Sequence, residues 1–197
     1  MECTSKSQLR KQFIDKRNCL TALQIAAASK IIAHTITALT AFQQARHIAL
    51  YWPCNNEINT LDILASALKL NKKCYLPIIS PDDSTLIFQE INSLTPNLPK
   101  IRRGIPELLH DPQRTRHASE LDLVIVPLLA FDANNIRLGM GAGHYDKTFA
   151  FKLTKLQATP TLVGIAHQAQ YSNDLLPCDP WDIPLDYIIT AQGTYSL

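Results

Sequence analysis

Apolar positions recur along this chain in two rhythms that alternate: spacings of three and four in some stretches, short continuous runs in others. Ser5 to Arg17 places Leu9 and Phe13 four apart, opposite Lys6, Arg10 and Arg17, which predicts a short amphipathic helix. Thr21-Ala22-Leu23-Gln24 has the form of a capping box, and Ile25, Ser29, Ile32, Ile36 and Leu39 continue from it at helical spacing. His47 to Trp52 is an apolar run ended by Pro53, and a further helix is expected from Asn59 or Thr60 to about Leu70, with Leu61, Leu64, Ala65 and Leu68 inward. Lys73 to Ile79 and Thr85 to Ile91 read as strands on either side of a Pro-Asp-Asp-Ser turn. Asn92 to Ser119 is proline-rich and carries dispersed charge, which predicts a long surface loop. Leu121 to Leu129, Pro160 to Ala166 and Asp186 to Thr190 supply three more strands, and Lys147 to Leu156 another helix. Strands separated by helices predict an α/β fold: a single domain over residues 1–197, with a mostly parallel sheet and helices on both faces.

Composition narrows this reading without redirecting it. A chain of 197 residues, 46 % hydrophobic and 18 % charged, is ordinary for one globular domain. The net charge of +2 supplies no general field for nucleic acid, and no basic stripe with interleaved aromatics is present. No run approaches the roughly 20 apolar residues of a membrane span. The N-terminal stretch is polar and basic, without the apolar core of a secretory signal. Cys3, Cys19, Cys54, Cys74 and Cys178 are scattered and include no C-x-x-C pair, as expected of free thiols in a reducing cytosol.

The densest chemistry lies in Arg137-Leu138-Gly139-Met140-Gly141-Ala142-Gly143-His144-Tyr145-Asp146-Lys147, which holds three of the chain's six glycines at alternate positions. A strand, a glycine loop and then a helix present backbone N–H groups to an anion, most naturally a nucleotide phosphate. Glycine lets the backbone adopt positive φ and approach phosphate oxygens, Arg137 can clamp them bidentately, and Asp146 could hold magnesium beside them. The pattern is not a Walker A loop, since Lys147-Thr148 follows an aspartate. Nor is it the dinucleotide fingerprint, whose last two glycines are three apart. A tight turn without a ligand is the plain structural alternative. Glu57 follows an apolar strand, so it should share the carboxyl edge of the sheet with the glycine loop, where ligands bind in open α/β folds. It can accept hydrogen bonds from a heterocycle beside Trp52, or simply favour the first turn of the next helix. Lys6, Arg10 and Arg17 read as a solvated helix face, and Lys6 and Arg10, four apart, would also suit a polyphosphate.

Taken together these residues resemble the 5-formyltetrahydrofolate cyclo-ligase (5,10-methenyltetrahydrofolate synthetase) family over nearly the whole chain. The resemblance rests on Lys6-x-x-Leu9-Arg10, Glu57 with Thr60, Leu76-Pro77, Asp122-Leu123-Val124-Ile125-Val126-Pro127, Phe131-Asp132 and the Arg137–Asp146 block. Gly164-Ile165-Ala166, Gln170, Asp182 and Thr190 complete it. It implies a cytoplasmic, monomeric enzyme that uses ATP and Mg2+ to close 5-formyltetrahydrofolate, which can be polyglutamylated, into 5,10-methenyltetrahydrofolate, with release of ADP and phosphate. By the same resemblance, Lys6, Arg10 and the segment Arg137, Leu138, Gly139, Met140, Gly141, Ala142, Gly143, His144 and Tyr145 would bind ATP, with Arg137 and Tyr145 catalytic. Trp52, Glu57 and Met140 to His144 would border the folate, and Asp146 and Asp182 would position Mg2+. His144, Ala142, Lys147 and Trp181 depart from the residues usual in the family, and two of them flank the expected folate contact. A phosphate- or CoA-ligand enzyme of similar architecture, such as a sugar-phosphate isomerase, and a non-catalytic nucleotide or folate sensor are the alternatives.

Overall fold

The computed structural model describes residues 5–80, 82–94, 101, 102, 105, 106, 108, 110–154 and 159–196, with the backbone alone at 101, 102, 105 and 106. In chain order the elements are α1 (Lys6–Asn18), α2 (Ala22–Ala38), α3 (Thr40–Gln44), β1 (His47–Ala49), α4 (Leu61–Lys69), β2 (Lys73–Ile79) and β3 (Leu86–Ile91). Then follow β4 (Ile101–Arg102), β5 (Ile105–Pro106), β6 (Thr115–Arg116), β7 (Leu123–Pro127), β8 (Ala130–Phe131), β9 (Arg137–Leu138), α5 (His144–Thr148), β10 (Thr161–Ile165), β11 (Tyr187–Thr190) and β12 (Gly193–Ser196). Eight strands form one sheet in the order β12-β11-β10-β7-β1-β2-β3-β6. The five central strands, β11 to β2, are mutually parallel, and antiparallel β12, β3 and β6 extend the two edges.

Alternation along the central strands divides the core into two layers. Leu123 and Ile125 of β7 face Ile32, Ile36, Phe42, Ile63 and Leu64 of α2, α3 and α4, while Val124 and Val126 face the opposite side. That second layer is built from Phe88, Phe131, Phe149, Ile183 and Leu185. It is covered by short turns and loops around α5 rather than by long helices. Both sides of β7 are therefore dry, which explains its continuous apolar text.

The helix starts follow the expected chemistry. Thr21 accepts a hydrogen bond from Gln24 N and the Gln24 side chain returns to Thr21 N, closing the capping box of α2. Ser5 and Gln8 do the same for α1. Helix α1 packs through Phe13, with Leu9 and Ile14 beside it, against Leu129, Ala130, Leu138 and Leu176. It is thus fastened to the β8–β9 hairpin, which carries the glycine segment.

Three expectations are corrected. The helix predicted over Lys147 to Leu156 is the five-residue α5 followed by a 3-10 turn, Ala150–Leu153; residues 155 and 156 lie outside the described residues. The Asn92–Ser119 segment is not bare loop where it is described, since it contains β4, β5 and β6, and β6 pairs with β3. Arg17 does not belong to a solvated face. It lies one helical turn beyond Phe13 and two beyond Arg10, so all three share a face, and Arg17 is only 3 % exposed.

Candidate functional site

The carboxyl ends of β1 and β7 open onto a cleft of about 640 Å³. Its floor is Pro127-Leu128-Leu129, and its walls come from α1 (Lys6, Arg10, Arg17), the loop after β1 (Glu57), residues 137–147, and Asp179, Trp181 and Asp182. All the sequence-predicted site residues except Trp52 line it. Trp52 is half-buried and packs against the core layer beneath α2 and α4.

Each wall has a local cause. Between β7 and the glycines the chain makes the β8–β9 hairpin, and buried Asp132 organises its turn. Asp132 Oδ1 accepts from Asn134 N (2.9 Å) and Ile136 N (3.1 Å), and Oδ2 accepts from Leu176 N (2.8 Å). Buried Gln170 donates to the carbonyls of Leu128 (2.8 Å) and Leu129 (3.0 Å), fixing the floor. The glycine segment leaves β9 with Gly141 at φ +107° and Gly143 at φ +69°, values that side chains resist. A Cβ on Gly141 would stand 3.2 Å from Arg10 Cζ, so the loop lies directly on the Arg10 guanidinium. Arg10 Nε in turn donates to Gly139 O at 3.0 Å. Helix α1 is tied to the loop by contact as well as by packing.

The charges are arranged in three groups. Arg137, buried under the loop, donates from both Nη1 (3.0 Å) and Nη2 (2.9 Å) to Asp146 Oδ1, which also accepts from Ile183 N at 3.1 Å. Lys6 Nζ bridges Asp179 Oδ2 and Asp182 Oδ2, both at 2.7 Å. Partial burial works against the Lys6 charge, but hydrogen bonds to the two carboxylates outweigh it and hold the pKa above the usual lysine value. Glu57 is turned inward by a tight turn at Asn55 and Asn56, both with positive φ, the conformation asparagine tolerates best after glycine. Glu57 Oε2 accepts from Cys54 N at 3.1 Å, and Oε1 lies 3.6 Å from Arg17 Nη1. Burial raises the Glu57 pKa against the opposing pull of the Cys54 N–H and Arg17.

The two aromatic residues of the loop are held differently. Burial pushes the Tyr145 phenol well above its ordinary range, which keeps it neutral, and its ring stacks on Phe149. His144 Nδ1 donates to Ser84 O at 2.7 Å, which ties the loop to the β2–β3 turn. Met140 and Trp181 expose their side chains at the cleft mouth.

The sequence reading missed Asp179 and the cleft-facing position of Arg17. Asp179 carries no local pattern, but the seven-residue interval from Arg10 to Arg17 is two helical turns and could have placed Arg17. Among the described residues there is no cluster of three or more metal-ligating side chains. Asp146 and Asp182 both line the cleft, each engaged through one oxygen, Asp146 Oδ1 and Asp182 Oδ2. Two carboxylates with free oxygens suit magnesium, which uses one or two such ligands alongside phosphate and water.

These features define an α/β protein with a cleft at the carboxyl edge of its parallel strands, where basic side chains and a glycine loop meet partly buried carboxylates. The 5-formyltetrahydrofolate cyclo-ligase family profile matches residues 2–191. A 5-formyltetrahydrofolate cyclo-ligase of Haemophilus influenzae is 35 % identical over 192 residues, covering 97 % of this chain and all of that protein. Solved 5,10-methenyltetrahydrofolate synthetases of Aquifex aeolicus (TM-score 0.77, 27 % identity, 97 % of this chain and 92 % of that one) and Mycoplasma pneumoniae (TM-score 0.73, 28 %, 95 % and 99 %) share the fold. The chain belongs to the 5-formyltetrahydrofolate cyclo-ligase family, and it is an enzyme of that cyclo-ligase class.

Proposed function

We propose that this cleft binds ATP with Mg2+ and 5-formyltetrahydrofolate together and closes the latter to 5,10-methenyltetrahydrofolate, releasing ADP and phosphate. The observation that carries the reading is the convergence on one cleft of Lys6, Arg10, the 137–147 segment, Asp182 and Glu57, residues far apart in sequence. A formamide carbonyl is a poor electrophile, and N10 of the folate cannot expel its oxygen unaided. Transfer of the γ-phosphoryl group to the formyl oxygen breaks the γ-phosphate bond to ADP and forms a phosphate ester. N10 then attacks the formyl carbon and gives up its proton to solvent, and loss of phosphate from the resulting adduct leaves the closed methenyl ring.

Such a transfer is catalysed chiefly by positioning and by neutralising charge. In this reading Lys6 and Arg10 hold the phosphates from α1, and the backbone of Gly139 to Gly143 approaches them from the other side. Arg137 supplies a fixed cation beneath the loop, Tyr145 donates as a neutral phenol, and Glu57 binds the pterin. Asp146 and Asp182 would hold Mg2+, which when bound offsets phosphate charge.

The test is incubation with 5-formyltetrahydrofolate, ATP and Mg2+, following methenyltetrahydrofolate absorbance and ADP release. Equal amounts of both products, dependent on all three components, are expected. Folded protein that makes neither product would defeat the proposal, and ADP release without cyclised folate would restrict it to nucleotide hydrolysis.

A further inference from the structure

Arg17 stands apart from the other cations of the cleft. It is 3 % exposed, and its Nε is buried without a hydrogen-bond partner. Its nearest anion, Glu57 Oε1, lies 3.6 Å from Nη1, an ion-pair distance too long for a hydrogen bond. A desolvated guanidinium with donors left unused is unfavourable, because burial removes water that nothing else replaces. A protein evolved only for stability would close this pair or replace it with apolar side chains. Here both members line the ligand cleft instead.

The same wall is rigid. Thr60 Oγ1 donates to Tyr51 O at 2.8 Å and Tyr51 Oη to Ile58 O at 2.8 Å, bracing the loop that carries Glu57. His167 Nε2, itself buried, lies 3.1 Å from Asn56 O and fixes the turn from behind. Arg17 is held at its base by the docking of α1 through Phe13. The cleft wall therefore presents a carboxylate and a forked donor side by side, each with hydrogen-bonding capacity to spare.

A flat heterocycle edge with a carbonyl next to N–H groups is the complement of that pair. The pterin of the proposed substrate has such an edge: the 4-oxo oxygen, then N3–H, then the 2-amino group. We infer that Arg17 and Glu57 form one subsite that reads this 2-amino-4-oxo edge, Glu57 accepting from N3–H and the 2-amino group and Arg17 donating to the 4-oxo oxygen. The inference rests on the folate reading of the cleft and adds a substrate-recognition role for Arg17. It also gives a partner to the Nη donors, which no hydrogen bond among the described residues uses.

Two ligands that differ at ring position 4 test it: 5-formyltetrahydrofolate and its 4-amino counterpart with the same glutamyl tail, which also lacks the N3 hydrogen and so costs Glu57 one donor in every variant alike. Their dissociation constants are measured by calorimetry for the wild type, Arg17→Met and Arg17→Lys, with Mg-ATP affinity measured in parallel. The wild type is expected to prefer the 4-oxo ligand by about 100-fold, because an amino group would point a donor at a donor. Arg17→Met should cut that preference by about tenfold, leaving the part that Glu57 reads through N3–H, with Mg-ATP binding retained. Arg17→Lys keeps the cation without the fork and should fall between. The ratio is read within one protein, so partial unfolding of a variant does not imitate the result. A full 4-oxo preference in both variants, or none in the wild type, would overturn the role. Wild-type protein that binds Mg-ATP but neither pterin would instead defeat the folate reading on which the inference rests.

Discussion

Gly139 and Gly141 lie two residues apart in the same loop, yet the structure separates what each contributes. Gly141 has φ +107°, and an added Cβ would sit 3.2 Å from Arg10 Cζ, 3.4 Å from Nε and 3.5 Å from Nη1. Arg10 cannot easily withdraw, because its Nε is bonded to Gly139 O and α1 is fastened by Phe13. Gly141→Ala should therefore pay backbone strain of about 1–3 kcal/mol and displace the guanidinium as well. In a chain of this size that corresponds to a melting temperature lower by roughly 2–12 °C. A Cβ on Gly139 meets nothing within 4 Å, and its φ is not in the left-handed range. Gly139→Ala should leave stability unchanged, or raise it by about 0.4–1 kcal/mol through the unfolded chain. If phosphate oxygens approach the loop backbone, that methyl stands in their way, and Mg-ATP affinity should fall by about tenfold or more. Thermal melts of both variants and Mg-ATP titration calorimetry separate the effects. A Gly139→Ala protein that binds Mg-ATP as the wild type does would refute the cradle. A Gly141→Ala protein with an unaltered melting temperature would refute the strain argument.

Two further outcomes follow from the buried charges. Arg137→Ala leaves Asp146 without its two-nitrogen partner in a largely buried setting, and breaking such a pair should cost about 3–5 kcal/mol, seen as an early denaturant midpoint. Turnover should also collapse at a temperature where the variant is still folded, and wild-type turnover there would remove Arg137 from the mechanism. Burial raises the Glu57 pKa, so the group binds more protons folded than unfolded, and its charge opposes folding of the free protein above the folded pKa. That penalty is relieved as pH falls from the folded pKa towards the unfolded value. Pterin affinity should move the opposite way, full above the raised pKa and falling below it, with onset at a higher pH than for an ordinary glutamate. Glu57→Gln should flatten that profile, and an unchanged profile in the variant would assign the titration to another group.

Much of the fold was legible because two rhythms were strong. The capping boxes, the seven-residue strand β2 and the doubly buried β7 each rest on contiguous residues whose chemistry is local. Failures came where pairing is short or distant. Strands β8 and β9 are two residues each, too brief to show alternation, so the text through them reads as strand running into loop. Edge strand β12, Gly-Thr-Tyr-Ser, has no apolar pattern and exists because β11 offers it a partner. The helix after the glycines was overextended because Phe149, Leu153 and Leu156 recur at helical spacing. Phe149 packs on Phe88, Tyr145 and Phe151, an aromatic cluster a 3-10 turn serves as well.

The site was legible unevenly for a related reason. Residues that resemble the family's motif divide in the structure into those that face the cleft and those that hold it in place. Asp132, Thr60 and Gln170 bond backbone around the cleft, and Asp122 joins β1 to β7 by accepting from Arg46 N and His47 N, both at 2.8 Å. Gly164 is silent in the chemistry but indispensable to packing, since a Cβ there would stand 2.5 Å from Leu185 Cδ1 and 2.7 Å from Leu128 Cδ2, next to the cleft floor. A motif alone cannot tell these two kinds apart, because residue identity does not show whether a side chain's partners lie within the fold. Burial and hydrogen bonding can only together with position: Asn135 is as buried and has both side-chain polar atoms unpaired, but it sits in the β8–β9 turn and does not line the cleft. Asp132 and Gln170 have their partners within the fold, whereas Arg17 is equally buried with a donor left over. Stability alone does not explain a satisfied carboxylate and an unsatisfied guanidinium kept at similar depth in one small domain. The first belongs to the scaffold, and the second, in the reading proposed above, keeps its Nη donors for the pterin edge.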